Sequence, residues 1–309
     1  MSRARAVVFA YHDVGVRCLK VLLSGAVEVP LVVTVADDPR ENRWYGSVAE
    51  TAAEYGLRCI TPADANDGAL LAELRRLRPE FLFSFYYRSL LGAPLLECAT
   101  RGVLNMHGSL LPRFRGRAPT NWAILKGARE SGATLHYMVS RADAGDIVDQ
   151  QAVPILADDD AREVFTKVTV AAEIVLARSL PALLEGRAPR RPQPLLPGEY
   201  FGRRRPEDGR IDWRRPAREV HDLVRAVAPP FPGAFTEVEG VRWDIHRTRL
   251  GGPEPPPGSG PRLFGQAGGL YAVAGDGAVL QLLRVQRADA PLDLAGTASA
   301  LAARAVPLG

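Results

Sequence analysis

Four short apolar runs, at residues 6–10, 29–35, 81–85 and 103–107, constrain the fold of this 309-residue chain more than any other feature. A strand apolar at nearly every position must be covered on both faces, which in practice means a parallel sheet between helices. The segments between the runs supply those helices. Residues 14–24 and 47–55 carry helical periodicity and end at Gly25 and Gly56, and residues 67–77 form an amphipathic pattern. With a short strand at Cys59–Ile60, the alternation predicts an α/β, Rossmann-like parallel sheet. Later strands are predicted at 133–139 and 147–153, and a long helix at 161–184.

The pattern then changes. Residues 186–197 are rich in Pro and Arg and lack periodicity, as a linker would. One more helix is predicted at 216–227, followed by β-prone runs at 234–238, 241–248, 270–274 and 278–285 with Gly-rich turns. These predict a small β-rich, OB-like barrel. The expected division is a catalytic domain over 1–190, a linker over 191–203 and a barrel-like domain over 204–309.

Composition narrows the functional classes. Cys18, Cys59 and Cys98 are isolated, which argues against a disulfide framework or structural zinc. The chain begins with a strand, so no leader is expected, and no apolar run approaches a membrane span. A cytoplasmic protein with no membrane insertion is the expectation; the oligomeric state is left open. Net charge is +4, and the longest basic run is Arg203–Arg204–Arg205, which favours small anionic ligands over a nucleic-acid surface. The turn after the first strand, Tyr11-His12-Asp13-Val14-Gly15, has one glycine where a dinucleotide fingerprint needs three. NAD is therefore not expected. No metal is expected either, because no His, Cys and carboxylate residues have ligand spacing.

The stretch from Val103 to Pro119 carries the chemistry. Asn105 and His107 stand two residues apart, so in a strand they share a face. They lie where the apolar run meets a Gly/Pro/Arg loop, at the strand end where open α/β sheets bind ligands. An amide donor and a titratable base aimed at one point suit acyl-type transfer, which needs oxyanion stabilisation and proton movement.

Several stretches resemble the folate-dependent formyltransferases: Val8-Phe9-Ala10-Tyr11-His12-Asp13, His107-Gly108-Ser109-Leu110-Leu111-Pro112, and Arg141-Ala142-Asp143-Ala144-Gly145. Three others, Tyr86-Tyr87-Arg88, Arg117-Ala118-Pro119-Thr120-Asn121-Trp122 and Phe201-Gly202-Arg203-Arg204, are similar to the sugar-nucleotide branch of that family. Within it, the sequence most resembles the formyltransferase domain of the bifunctional enzyme acting on UDP-4-amino-4-deoxy-L-arabinose for lipid A modification in lipopolysaccharide biosynthesis. That enzyme's decarboxylase half is not expected in this chain, and decarboxylation, if it occurs in the pathway, is expected of another protein.

The resemblance implies transfer of a formyl group from 10-formyltetrahydrofolate to the amine of a nucleotide-linked 4-amino sugar. It implies a catalytic triad of Asn105, His107 and Asp143. It places the folate against Ser89, Leu90, Leu91, Arg117 and the segment Val139, Ser140, Arg141, Ala142 and Asp143, and substrate at Tyr11 and Arg204. The alternative within the family is a methionyl-tRNA formyltransferase. Against it, the second domain mixes Arg with Glu207, Asp208, Asp212, Glu219 and Asp222 and has almost no Lys.

Several residues have plainer readings. Arg113 and Arg115 fit a solvated loop, His12 and Asp13, at a strand end, fit either substrate contact or loop packing, and Trp122 a core position. His136 fits a structural strand residue, and His221 and His246 carry no motif.

Overall fold

A computed structural model describes residues 3–37, 43–195 and 200–309; residues 196–199 of the expected linker lie outside the described residues. The chain forms two compact units. One comprises Met1–Pro119, Glu130–Pro154 and Phe165–Gly202; the other comprises Thr120–Arg129, Ile155–Val164 and Arg203–Gly309.

The first unit opens with β1 (Ala4–Ala10), α1 (His12–Ser24), β2 (Val27–Val33), α2 (Val48–Glu54), β3 (Cys59–Ile60), α3 (Gly68–Leu77), β4 (Phe81–Phe85), α4 (Ala93–Leu96) and β5 (Gly102–His107). Along the chain a two-residue β6 (Arg115–Gly116) follows, then α5 (Pro119–Leu125), which beyond its first residue belongs to the second unit, β7 (Glu130–Tyr137), β8 (Ile147–Pro154), α6 (Ala161–Leu184), whose first four residues also belong to the second unit, and β9 (Tyr200–Phe201). The main sheet has the order β3-β2-β1-β4-β5-β7-β8. Pairing is parallel from β3 through β5, as the alternation predicts. The predicted strands 133–139 and 147–153 are β7 and β8, and both join antiparallel. The β7–β8 connection is a short loop, and a parallel return would need a crossover of a dozen or more residues.

Side-chain alternation divides the apolar runs between the two faces. Phe81, Phe83 and Phe85 of β4 stack at centroid separations of 5.8 and 5.5 Å. They pack with Val8, Leu104 and Met106, with Leu19 and Leu22 of α1, and with Val175 and Leu176 of α6. Leu82 faces the other way, into a cluster with Val7, Phe9, Leu31, Val33 and Leu74. Ser47 caps α2 and Asp67 caps α3 through hydrogen bonds to the amides of Glu50 and Leu70. The Arg101 guanidinium donates to the Leu183 and Leu184 carbonyls at the end of α6, where a cation suits the helix dipole.

Phe83 is fully buried at the centre of this stack. Phe83→Ala is therefore expected to destabilise the unit by about 3–5 kcal/mol. The measurement is a fall in the urea midpoint of circular dichroism, with little change expected for an exposed control such as Val170→Ala.

The second unit contains a short 3-10 turn (Pro206–Gly209), α7 (Ala217–Ala226) and an antiparallel sheet. Its strands are β10 (Ala234–Val238), β11 (Val241–Leu250), β12 (Arg262–Gln266), β13 (Gly269–Val273), β14 (Val279–Arg287), β15 (Ala290–Pro291) and β16 (Val306–Pro307), with α8 (Leu294–Ala300) before the last. The order is β10-β11-β14-β13-β12-β16, with β15 against β14. This is the OB-like β-rich domain, built as a half-barrel. Register shifts in β11 between Ile245 and Thr248 bend the strand. The sequence pattern misses β12, which is short, follows a Pro/Gly run and contains Gly265.

Trp213 is fully buried and donates to Thr236 Oγ1 at 2.9 Å. His221, buried, bonds Thr248 Oγ1 and the Ala157 carbonyl at 2.9 and 3.0 Å. Burial lowers its pKa from the ordinary histidine value.

Candidate active site

The inferred triad meets in the first unit where β5 pairs with β7. The register pairs Asn105 with His136 and His107 with Thr134, placing these four residues on one face of the sheet. Asp143 enters from the β7–β8 loop. Its Oδ1 lies 3.4 Å from Asn105 Nδ2, 3.5 Å from His107 Nδ1 and 3.6 Å from His136 Nε2. Its Oδ2 accepts the Gly116 amide at 3.0 Å. Burial pushes the Asp143 carboxyl pKa up, but the neighbouring His107 and His136 rings and the Gly116 amide outweigh it. The net position is well below the usual carboxylate range.

His136 is the member that sequence reasoning missed. Leu135 and Tyr137 made it look structural, and it is indeed buried at 1% exposure. Its Nδ1–H donates to the Tyr137 carbonyl at 2.8 Å, which leaves Nε2 to accept from Asn105 Nδ2 at 3.1 Å. The signal would have been the antiparallel register between β5 and β7, which a lone strand pattern does not contain.

His107 is buried at 6% exposure, and its Nε2 donates to the Phe114 carbonyl at 3.0 Å. The loop beyond it is tied to the sheet. Thr134 Oγ1 donates to the Ser109 carbonyl and accepts the Leu111 amide at 2.6 and 3.1 Å, and Gln150 Nε2 donates to the Leu111 carbonyl at 2.9 Å.

Two glycines are required by close approach. Gly116 has φ +101°, and a Cβ there would stand 2.3 Å from the Phe201 carbonyl oxygen, because β6 pairs with β9. A Cβ on Gly145 would stand 2.0 Å from the Tyr137 carbonyl oxygen.

The residues assigned to the folate occupy two loops and a strand end. Ser89 and Leu90 are exposed and Leu91 is buried; Asn66 Nδ2 holds the Leu90 carbonyl at 3.0 Å. Val139, Ser140 and Arg141 are exposed, and Ala142 is half-buried. Leu90 and Val139 are among the few large apolar side chains left open to solvent, at 64% and 46% exposure.

Arg117 is exposed, with its amide on the Phe201 carbonyl at 2.9 Å. Arg115 differs from the expected solvated loop. It is buried at 2% exposure, and its Nε has no hydrogen-bond partner among the described residues, because its strand pairs with β9 rather than lying in solvent.

Tyr11 is buried at the N-cap of α1, its hydroxyl on Tyr45, with the Arg88 guanidinium 4.4 Å from its ring centre. His12, with φ +65°, stacks on Tyr45 and meets Trp44 and Phe165 edge-on. Arg204 belongs to the second unit, where its Nη2 donates to the Asp208 carbonyl at 2.8 Å and its guanidinium lies 5.2 Å from the centre of the Trp122 ring. Burial lowers the Arg204 pKa. Among the described residues no cluster of three His, Cys, Asp or Glu could hold a metal ion, and no helix is long and apolar enough to cross a membrane.

Comparison with known proteins identifies the family. The formyl transferase family model matches residues 7–180, and the model of the formyl transferase C-terminal domain matches residues 204–295. The chain belongs to the formyl transferase family.

Solved structures share its fold. An N-formyltransferase from Helicobacter canadensis, solved with folinic acid and dTDP-3-aminofucose, superposes with a TM-score of 0.72 at 20% identity. That match covers 93% of this chain and 100% of the other. A 4-N formyltransferase from Francisella tularensis gives a TM-score of 0.65 at 20% identity over 78% of this chain and 96% of its own. HypX from Aquifex aeolicus gives 0.61 at 20% identity over 93% of this chain and 45% of its own.

Proposed function

We propose that this formyltransferase, a cytoplasmic enzyme, moves the formyl group of 10-formyltetrahydrofolate to the amine of a nucleotide-linked 4-amino sugar, UDP-4-amino-4-deoxy-L-arabinose or a close relative. The observation that carries the reading is the convergence of Asn105, His107 and Asp143 on one point at the end of β5. The solved relatives named for sugar N-formylation support the acceptor class.

The folate supplies the activated formyl carbon, and Leu90, Val139 and the backbone of 139–143 would hold its ring. The chain's residues do the rest. Asn105 Nδ2 spends one hydrogen on His136; the other makes only a long 3.4 Å contact with Asp143 and can turn to an oxyanion. With Nδ1–H turned to Asp143, His107 Nε2 exchanges the Phe114 carbonyl for the attacking amine, takes its proton and returns it to the departing nitrogen. Asp143 orients the His107 ring through Nδ1 and offsets its charge when protonated. The partners implied are small molecules. Arg204, with its buried and unpartnered Nε, is a candidate for a diphosphate oxygen.

The charge pattern of the second unit supports a sugar-nucleotide over methionyl-tRNA. Arg210, Arg214, Arg215, Arg225, Arg242 and Arg304 are each paired with an acid of the same unit. Locally neutralised arginines release few counterions and make a poor phosphate track.

The test is formylation of a panel of UDP- and dTDP-linked 3- and 4-amino sugars beside methionyl-tRNA. The expected product is a formylated nucleotide sugar, with turnover nearly independent of salt. Salt-sensitive formylation of methionyl-tRNA alone would replace this reading with the tRNA enzyme.

A further inference from the structure

We propose that Gln193, in the segment leading to the second unit, is a positioning residue for the Asp143 carboxylate. Its Nε2 donates to the Asp143 carbonyl at 3.2 Å and to the Gly145 carbonyl at 2.5 Å. Both partners can only accept, so the amide cannot flip without losing both bonds. Asp143 is a non-glycine residue at φ +52°, a conformation that persists only where its surroundings impose it. Gln193 provides that imposition from the backbone side.

The segment is anchored where such a clamp needs it. The Arg190 guanidinium lies 3.6 Å from the centre of the Tyr137 ring, at the end of β7. Arg191 exchanges two backbone hydrogen bonds with Ile147, the first residue of β8, at 2.8 and 3.0 Å. The segment therefore spans the mouth of the β7–β8 loop, and Gln193 reaches across it.

A second hold comes from further along the same segment. Phe201 in β9 pairs with Gly116, whose amide donates to Asp143 Oδ2. Gln193 fixes the carbonyl of Asp143, and the β9-supported Gly116 fixes its carboxylate. The groups that face the carboxylate are then His107 from β5, His136 from β7 and the Gly116 amide from β6. Their distances depend on a loop that Gln193 closes.

Two isosteric variants separate hydrogen bonding from packing. Gln193→Met keeps the volume and removes both donors. Gln193→Glu sets a carboxylate oxygen against two carbonyl oxygens. The proposal rests on the formyl-transfer reading for its kinetic arm alone. There, kcat is expected to fall roughly ten- to hundredfold in Gln193→Met and further in Gln193→Glu, with circular dichroism unchanged.

The second arm needs no turnover: the Asp143 carboxyl titration is followed by carbon NMR and assigned by its loss in Asp143→Asn. In Gln193→Met it is expected to move up from its depressed position toward the ordinary value of about 3.9. An Asp143 titration unchanged in Gln193→Met overturns the proposal, whatever the enzyme formylates. Should Gln193→Glu fail to fold, Gln193→Met alone decides.

Discussion

His107→Ala is expected to slow formyl transfer by roughly two to four orders of magnitude, the usual contribution of a positioned proton-transfer group. Asn105→Ala is expected to cost about 3 kcal/mol of barrier, the loss of one oxyanion donor. Neither change should unfold the chain. The backbone pairing of β5 with β4 and β7 does not involve these side chains. The lost His107–Phe114 hydrogen bond is worth only about 1 kcal/mol net.

Because Asn105, His107 and Asp143 share contacts, the double variant should be little slower than the slower single variant. Single-turnover rates at saturating donor and acceptor, with circular dichroism as the folding control, measure this. Near-parental turnover in either single variant would remove that residue from the mechanism.

Asp143→Asn is expected to lower turnover roughly a hundredfold or more, because the His107 ring loses the carboxylate that orients it. It should also change how stability responds to acid. The folded-state pKa of Asp143 lies below its unfolded value, which is about 3.9 for an aspartate. A depressed carboxylate contributes stability that is fully present above the unfolded value and disappears as pH falls through the folded one. The gap in unfolding free energy between parent and Asp143→Asn should therefore narrow as pH falls below about 4. Urea unfolding at several pH values reads it directly. A gap independent of pH would mean that the carboxylate is not held by His107, His136 and Gly116 as described.

Much of this was legible in the residues. The apolar runs became β1, β2, β4 and β5, and their alternation became a parallel sheet with two cores. Asn105 and His107 were readable together because a strand repeats every two residues, so sequence spacing alone puts them on one face. Asp143 came from the resemblance of its loop, and the structure brings it within 3.4–3.6 Å of its partners.

What the sequence determined, then, is what depends on near neighbours along the chain: the period of each element, the shared face of Asn105 and His107, and the loop motif around Asp143 that carries the resemblance. What only the tertiary structure decided depends on residues far apart in sequence. His136 joins the site through the register of β5 against β7, thirty-one residues away. Arg115 is buried because β6 finds β9. Gln193 reaches Asp143 from fifty residues away. Strand register and loop closure are set by packing and hydrogen bonding across the sheet, and those energies leave no periodic trace in the strand that receives them.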